Sequence, residues 1–452
     1  MLSNYLYKNK FKILLLVLGI ILTIIVIGLF SLLNQKTFYK GISIEDIDVS
    51  DLDRDNAKVL IEKYLVNYAK DNKVVLVYED RVWEIALSDI SYEFLIDNTL
   101  ENAYKFGREG TIINRLKDVL ILRTTNRRIT AHSTYSREQL INIVSDIKNQ
   151  IERKERNASA QYINGQIDFE KEVIGQYIDV DKNVKIIENK ILERDFSDTV
   201  LDVRKVIPEI VYEDISHIED VISSFSTSFN PNKANRTYNI KLACERINNK
   251  LLMPGEEFSM DLALGTRTKN NGYKEAPVII KNQLIEGIGG GVCQVTTTLY
   301  VAVLKAKLSV IERVSHSIPL GYVEPGQDAT IAEGYIDFKF KNNKNYPILI
   351  NAEVVGGSVV IRIIGEKNSK KYNVVLKSVI VDRINPEKSE VVVDTSLPYG
   401  KVAVDREAIY GIRVVVYRET YDERYQLVER EKISEDLYKP VQGKIRIGSQ
   451  EP

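Results

Sequence analysis

The longest hydrophobic run of the chain lies near its beginning. From Ile13 to Leu33 no charged side chain interrupts a stretch dominated by Leu, Ile, Val, Gly and Phe. At about 1.5 Å per residue, a helix of this length matches the roughly 30 Å hydrocarbon layer of a bilayer. A secretory signal has a shorter apolar region and ends at a small-x-small cleavage pattern, whereas this run passes into Asn34-Gln35-Lys36. The pattern predicts an uncleaved transmembrane helix over 13–33. Lys8, Lys10 and Lys12 precede it against Lys36 and Lys40 after it, which places residues 1–12 as a cytoplasmic tail and the bulk of the chain outside a plasma membrane.

Beyond the anchor the patterning alternates between the strand period and the helix period. Ile42, Ile44 and Ile47 read as a short strand, and Ala57, Leu60, Ile61, Tyr64 and Leu65 recur at helical spacing. Strand-like runs follow at 74–78 and 82–87. Tyr104 to Leu122 reads as mostly helical, loosened by Gly107 and Gly110. A similar order then returns: an amphipathic helix over 135–151, a hairpin over 161–169 turning at Asn164-Gly165, and a helix running through Leu192. This predicts two copies of one α+β module, with boundaries at 34–130 and 131–218. The tail is rich in Val, Ile and Tyr, with alternation at Ile412, Val414 and Val416 and a final strand at 444–448, so 366–452 is expected to be β-rich. The fold class expected is α+β, a multidomain ectodomain behind one N-terminal membrane helix.

Composition narrows the function classes. A net charge of −1, with 28% charged and 44% hydrophobic residues, is ordinary for folded domains and gives no basis for nucleic-acid binding. The three histidines, His132, His217 and His316, are scattered, and the two cysteines, Cys244 and Cys293, form no Cys-x-x-Cys pair. No metal site of the usual spacing and no cofactor is therefore expected.

The most unusual stretch is Gly287-Ile288-Gly289-Gly290-Gly291-Val292-Cys293-Gln294-Val295-Thr296-Thr297-Thr298-Leu299-Tyr300. It is preceded by Met253-Pro254-Gly255-Glu256-Glu257-Phe258-Ser259 and Gly265-Thr266-Arg267-Thr268. Arg313-Val314-Ser315-His316-Ser317 and Gly326-Gln327-Asp328-Ala329-Thr330 follow it. Together these ordered motifs, over 219–365, resemble the VanW family, named after a gene in some vancomycin-resistance clusters. The twin modules upstream are similar to domains assigned to peptidoglycan binding that often precede VanW domains. The tail, with Gly400, Gly411, Gly443 and Gly448, looks like a divergent five-glycine domain. Two positions depart from the family pattern: Asp261 stands where asparagine is expected, and Cys244 where a small apolar residue is expected. The resemblance implies an extracytoplasmic protein that holds peptidoglycan or another wall polymer and acts in envelope maintenance. Other envelope proteins form a further partner class. It carries no settled activity.

The residues around Cys293 carry their own chemistry. Three glycines allow a tight turn before a helix whose apolar positions run Val295, Leu299, Ala302, Val303 and Ala306. Cys293 then falls at the first turn, where free N–H groups and the helix dipole favour a thiolate and can hold an oxyanion. His316 as base and Asp328 as its orienting carboxylate complete a nucleophile set. This reading predicts a cysteine-dependent amidase or transpeptidase acting on peptidoglycan peptides. Gly289, Gly290, Gly291, Gln294, Arg313 and Arg267 are its candidate ligand-binding residues. Opposed to it stands a binding or structural cleft in which Cys293 behaves as a small hydrophobe, the reading the sequence favours. A Cys244–Cys293 disulfide is a third alternative, and it would remove the nucleophile. Cys244 shares a helical face with Ile240, Ile247 and Leu251, which predicts burial.

Overall fold

A computed structural model describes residues 2–280, 283–367 and 372–450. The chain divides into two compact units. The first comprises 1–154 and 175–206, and the second 155–174 and 207–452.

The first unit begins with helix α1 (Leu2–Leu33), whose apolar portion Lys10–Leu33 is long and apolar enough to cross a membrane and is exposed along most of its length, with Leu33 at its end buried in the first core. Helix α2 (Arg54–Asp71) starts where the Asp53 carboxylate accepts the Asn56 N–H at 2.8 Å. Its Ala57, Ile61 and Leu65 pack with Phe38, Ile42 and Ile44, and with Leu100 and Ala103 of α3 (Ile96–Lys105). Val119 and Leu122 of α4 (Ile112–Leu122) close the same core. The expected helix over 104–122 is thus two helices, parted at Gly107 and Gly110, both at positive φ.

A second core joins Val74, Leu76, Ile85 and Leu87 to α5 (Arg137–Ile151) and α6 (Val180–Glu193). This overturns the expected break at 130/131. The strand Thr199–Val200 pairs in parallel with Lys73–Tyr78, setting Thr199 opposite Leu76, so the two segments read as separate copies share one sheet. Such pairing spans more than a hundred residues and leaves no trace in local periodicity. The boundary at 218/219 also moves. The hairpin Ser159–Ile163/Gln166–Glu170 turns at Asn164-Gly165 as expected, but Ala158 and Ala160 pack with Ile215, Ile218, Leu349 and Ile364 in the second unit.

The second unit contains the short helix α7 (Tyr212–Ile215) and an antiparallel sheet in the order Ile218–Ser228, Ser358–Glu366, Ile348–Val355, Lys250–Leu252. Helices α8 (Ala234–Ile247) and α10 (Val292–Lys305) join its main apolar core, with the one-turn helix α9 (Met260–Leu264) at its margin. Asn239 sits inside helix α8, fully buried. Among the described residues, the regular elements of the C-terminal part, from Asn373 on, are strands. Asn373–Ile384, Gly411–Tyr421 and Leu427–Tyr438 form one antiparallel sheet, and Glu390–Pro398, Lys444–Gln450 and Val402–Arg406 form another. Its core is small, built on Ile412, Val414 and Tyr438.

Candidate functional site

The site begins with a backbone constraint. The hairpin Glu275–Ile280/Gln283–Ile288 delivers the chain to Gly289-Gly290-Gly291. A side chain on Gly290 would lie 2.6 Å from the carbonyl oxygens of Ala276 and Pro277, and Gly291, at φ 111°, would bring one to 2.9 Å from Ile240 Cγ1. Only glycine lets the loop pass here. Asn239 fixes it from α8: its amide donates to the Gly290 carbonyl at 3.0 Å and the Lys274 carbonyl at 2.9 Å. Gly291 caps α10, so Cys293 occupies the first turn of that helix, half-buried, with its Sγ 3.7 Å from the Ile331 carbonyl.

Two loops bring the other groups. The imidazole of His316 hydrogen-bonds to Cys293 through its ring, and its Nδ1 lies 2.7 Å from Asp328 Oδ2. The same carboxylate oxygen accepts the His316 backbone N–H at 2.6 Å. Thr297, one turn after Cys293, ties α10 to this loop: its hydroxyl and the Ala329 N–H and carbonyl stand 3.1 Å apart. Asp328 is 1% exposed and His316 8%. The other carboxylate oxygen accepts the hydroxyl of Tyr438, which itself accepts the Gly326 N–H at 2.7 Å.

Electrostatics follow from these contacts. Burial alone would raise the Cys293 thiol; the hydrogen bond and charge of His316, with the charge of Arg267, instead hold it below the free-cysteine value. Burial would lower His316, but Asp328 and Cys293 raise it to about 9. Burial would raise Asp328, while its bonds to His316 and Tyr438 keep it low. These contacts hold His316 as an imidazolium and Asp328 as a carboxylate near neutral pH and favour the thiolate form of Cys293. Cys244 lies 2% exposed in α8 as a free thiol, pushed up to about 12 by burial, and Cys293 is also free.

Cys293, His316 and Asp328 thus come together. Arg267, paired with Asp261 and Glu333, acts on the thiol through its charge. The other candidates point elsewhere. The Gln294 amide donates to Thr227 and to the Ser228 carbonyl, both at 3.0 Å, and accepts from Arg236 at 2.7 Å, so it locks α10 to the sheet. Arg313 donates to the Asp328 carbonyl, the Gly326 carbonyl and Asp436, its guanidinium committed inward. Gly289 and Gly290 are buried against the hairpin and do not form an open cradle. Tyr438, Tyr322, Arg236 and Asn239 went unread in the sequence. Burial pushes the Tyr322 hydroxyl up and the Cys293 charge adds to this, while its hydrogen bond to Thr297 acts in the opposite direction; Arg236 is partly buried within reach of Tyr322 and Cys293.

A thiol in the first turn of a helix, beside a buried histidine and aspartate, is the densest polar cluster of the VanW-resembling segment. Comparison with known proteins agrees on the domain. The "VanW like protein" family model matches residues 235–364. The "Putative peptidoglycan binding domain" model matches 83–200, and the G5 domain model matches 377–450. The Bacillus subtilis (strain 168) protein YoaR is 43% identical over 159 residues, covering 35% of this chain and 52% of that protein. The vancomycin B-type resistance protein VanW of Enterococcus faecalis (strain ATCC 700802 / V583) is 31% identical over 145 residues, 31% of this chain and 51% of that one. The chain spans about half the length of these curated relatives. Among solved structures, the IgA1 protease G5 domain is 21% identical, with a TM-score of 0.13 over 18% of this chain and 94% of its own. The module set is that of a cell-wall-associated protein. The chain carries a VanW-like domain together with peptidoglycan-binding-type and G5 modules.

Proposed function

We propose that the chain is a membrane-anchored, extracytoplasmic wall protein whose VanW-like domain transfers acyl groups of peptidoglycan peptides through Cys293. The single observation that carries this reading is the connected series Cys293–His316–Asp328. A structural cysteine needs burial only, and Cys244 shows what that looks like in the same core.

In the proposed cycle the Cys293 thiolate attacks a peptide carbonyl, and the tetrahedral oxyanion is held by the Cys293 N–H at the positive end of α10. His316, protonated and oriented by Asp328, gives its proton to the departing amine as the C–N bond breaks, leaving a thioester. An incoming amine or water then loses a proton to His316 and attacks the thioester, releasing Cys293. An amine acceptor makes the reaction a transpeptidation, and water makes it an amide hydrolysis. Arg236 supplies positive charge beside the thiol and favours donor peptides carrying a carboxylate.

The peptidoglycan-binding-type module and the G5 module hold the polymer near this site in the same reading. The test is incubation of the full chain with purified peptidoglycan, followed by intact-protein mass spectrometry and muropeptide analysis. A peptide adduct on Cys293 and altered muropeptides, both absent in Cys293→Ala, are expected. Unchanged muropeptides with polymer that still sediments the protein would leave a wall-binding module in place of an enzyme.

A further inference from the structure

Helix α4 has two apolar sides, and the core covers only one. Val119 and Leu122 face inward and are 2% exposed. On the outer side Ile112 is 70% exposed and Ile113 79%, and Leu120 and Ile121 are also open. With Leu116 these residues recur at helical spacing and make one continuous stripe along α4. Exposed stripes of this size on soluble domains mark a contact surface.

What covers the stripe is indicated by its attachment. Arg115 of α4 donates to the carbonyl of Leu33, the last residue of α1, and Tyr39 donates to the same carbonyl at 3.0 Å. Arg108, just before α4, reaches the carbonyls of Gln35 at 3.1 Å and Thr37 at 2.5 Å. The end of the apolar helix is therefore fixed against α4. Charge supports a lipid partner: over 111–128 five cations (Arg115, Lys117, Arg123, Arg127, Arg128) stand against one acid, Asp118. An apolar stripe flanked by Lys and Arg suits an anionic membrane surface.

We infer that α4 lies in the outer interface of the membrane that α1 crosses, its Ile112–Ile113–Leu116–Leu120–Ile121 stripe buried among lipid. This rests on the reading of α1 as a membrane anchor. Two contacts, one crossing and one lying flat, hold the first unit at a set height and tilt over the bilayer, where a span alone would leave it free to swivel.

The test uses the full chain in phosphatidylcholine–phosphatidylglycerol vesicles. The chain has one tryptophan, so Trp83→Phe clears the background for Ile113→Trp, Leu120→Trp and, as a polar control, Glu109→Trp. Blue-shifted emission at 113 and 120, mostly quenched by brominated lipid, with 109 unquenched, is the expected result. Hydroxyl-radical footprinting of the unmodified chain in the same vesicles reads the same face without substitution. Ile113 should be protected relative to Leu262, which is 85% exposed and lies in the other unit. Equal oxidation of the two, with a chain that resists carbonate extraction, overturns the α4 contact and leaves the anchor standing. A chain released by carbonate removes both. Protection of Ile113 without lipid quenching, accompanied by cross-linked dimers, assigns the stripe to a second copy and overturns the inference.

Discussion

Two cysteines share one hydrophobic core and end in opposite chemical states. Cys244 lies on the inner face of α8 among Ile240, Ala243 and Ile247, and burial drives its thiol up to about 12. Cys293 packs against the same core from α10, yet His316 draws its thiol down. Burial disfavours the charged form of both. What separates them is a bonded partner for that charge: a helix N-terminus behind the sulfur and an imidazole whose own proton is held by Asp328. A low-dielectric site makes such a connection count for more, because water does not compete for it.

The sharpest way to break this contrast is to exchange the roles of the two residues. Cys293→Ala should lower acyl transfer by at least ~10⁴-fold, the scale on which removing a nucleophile acts. Cys244→Ala should leave the rate near that of the unmodified chain. Muropeptide turnover by the two variants measures both, and equal losses would make the cysteines equivalent packing residues. Iodoacetamide gives the companion reading: Cys293 labels in the folded chain, while Cys244 labels only in denaturant.

Next in size is the loss of the carboxylate. Asp328→Asn removes the negative charge facing His316 Nδ1, so acyl transfer should fall by about 10³- to 10⁴-fold, and alkylation of Cys293 near pH 6.5 should slow as its pKa moves back toward ~8.5. The pH dependence has a definite sign. His316, raised to about 9 in the fold, contributes stability that is complete below its ordinary 6.5 and is lost as pH rises through 9. Asp328, lowered, contributes stability present above its ordinary 3.8 and lost as pH falls through its folded value. The Tm gap between the unmodified chain and His316→Gln should therefore be widest between the ordinary 3.8 of Asp328 and the ordinary 6.5 of His316, narrow as pH rises past 6.5, and be gone above pH 9. A gap independent of pH would show that the imidazole carries no charge in the fold.

How much of this was legible in the sequence depends on distance along the chain. The apolar run at 13–33 and the glycine turn into the Cys293 helix are local patterns, and both appear in the structure. His316 and Asp328 are 12 residues apart and could be named from chemistry, but their meeting with Cys293 depends on how the 316 and 328 loops fold back on α10. Arg313 and Gln294 were misjudged because residue type and nearness in sequence do not say which way a side chain turns. Asn239 carried a signal that passed unread: an amide on a helical face otherwise made of Ile240, Ala243, Cys244 and Ile247 must have a buried partner, and that partner is the glycine loop. The break at 130/131 failed for the opposite reason, since local order repeats there while the pairing of Thr199 with Leu76 is purely long-range.

A smaller effect separates packing from charge in the two cysteines. Cys244→Ser places a hydroxyl where the thiol made only apolar contacts, and should cost about 1–3 kcal/mol of stability. Cys293 alkylation should be unchanged. Chemical denaturation and labelling of the same sample read the two quantities side by side, and a slowed alkylation would mean that α8 and α10 are coupled through the core.

The smallest expected effect tests how far the connected series extends. Tyr438 lies in the C-terminal sheet, 110 residues from Asp328, yet its hydroxyl donates to that carboxylate and accepts the Gly326 N–H. It touches no reacting atom and is a positioning residue. Tyr438→Phe keeps the ring in the core and deletes one bond, which should cost about 1–1.5 kcal/mol of stability. If the hydroxyl served packing alone, the loss would stop there. If it steadies the Asp328 charge, the carboxylate becomes a weaker partner for His316, and the alkaline limb of the alkylation profile should shift with it. A turnover loss of about tenfold, carried by kcat with KM unchanged, would place the β-rich domain within the catalytic apparatus. A stability loss with an unmoved pH profile would return it to the role of a wall-binding module, and the contrast between Cys244 and Cys293 would then be complete within the VanW-like domain itself.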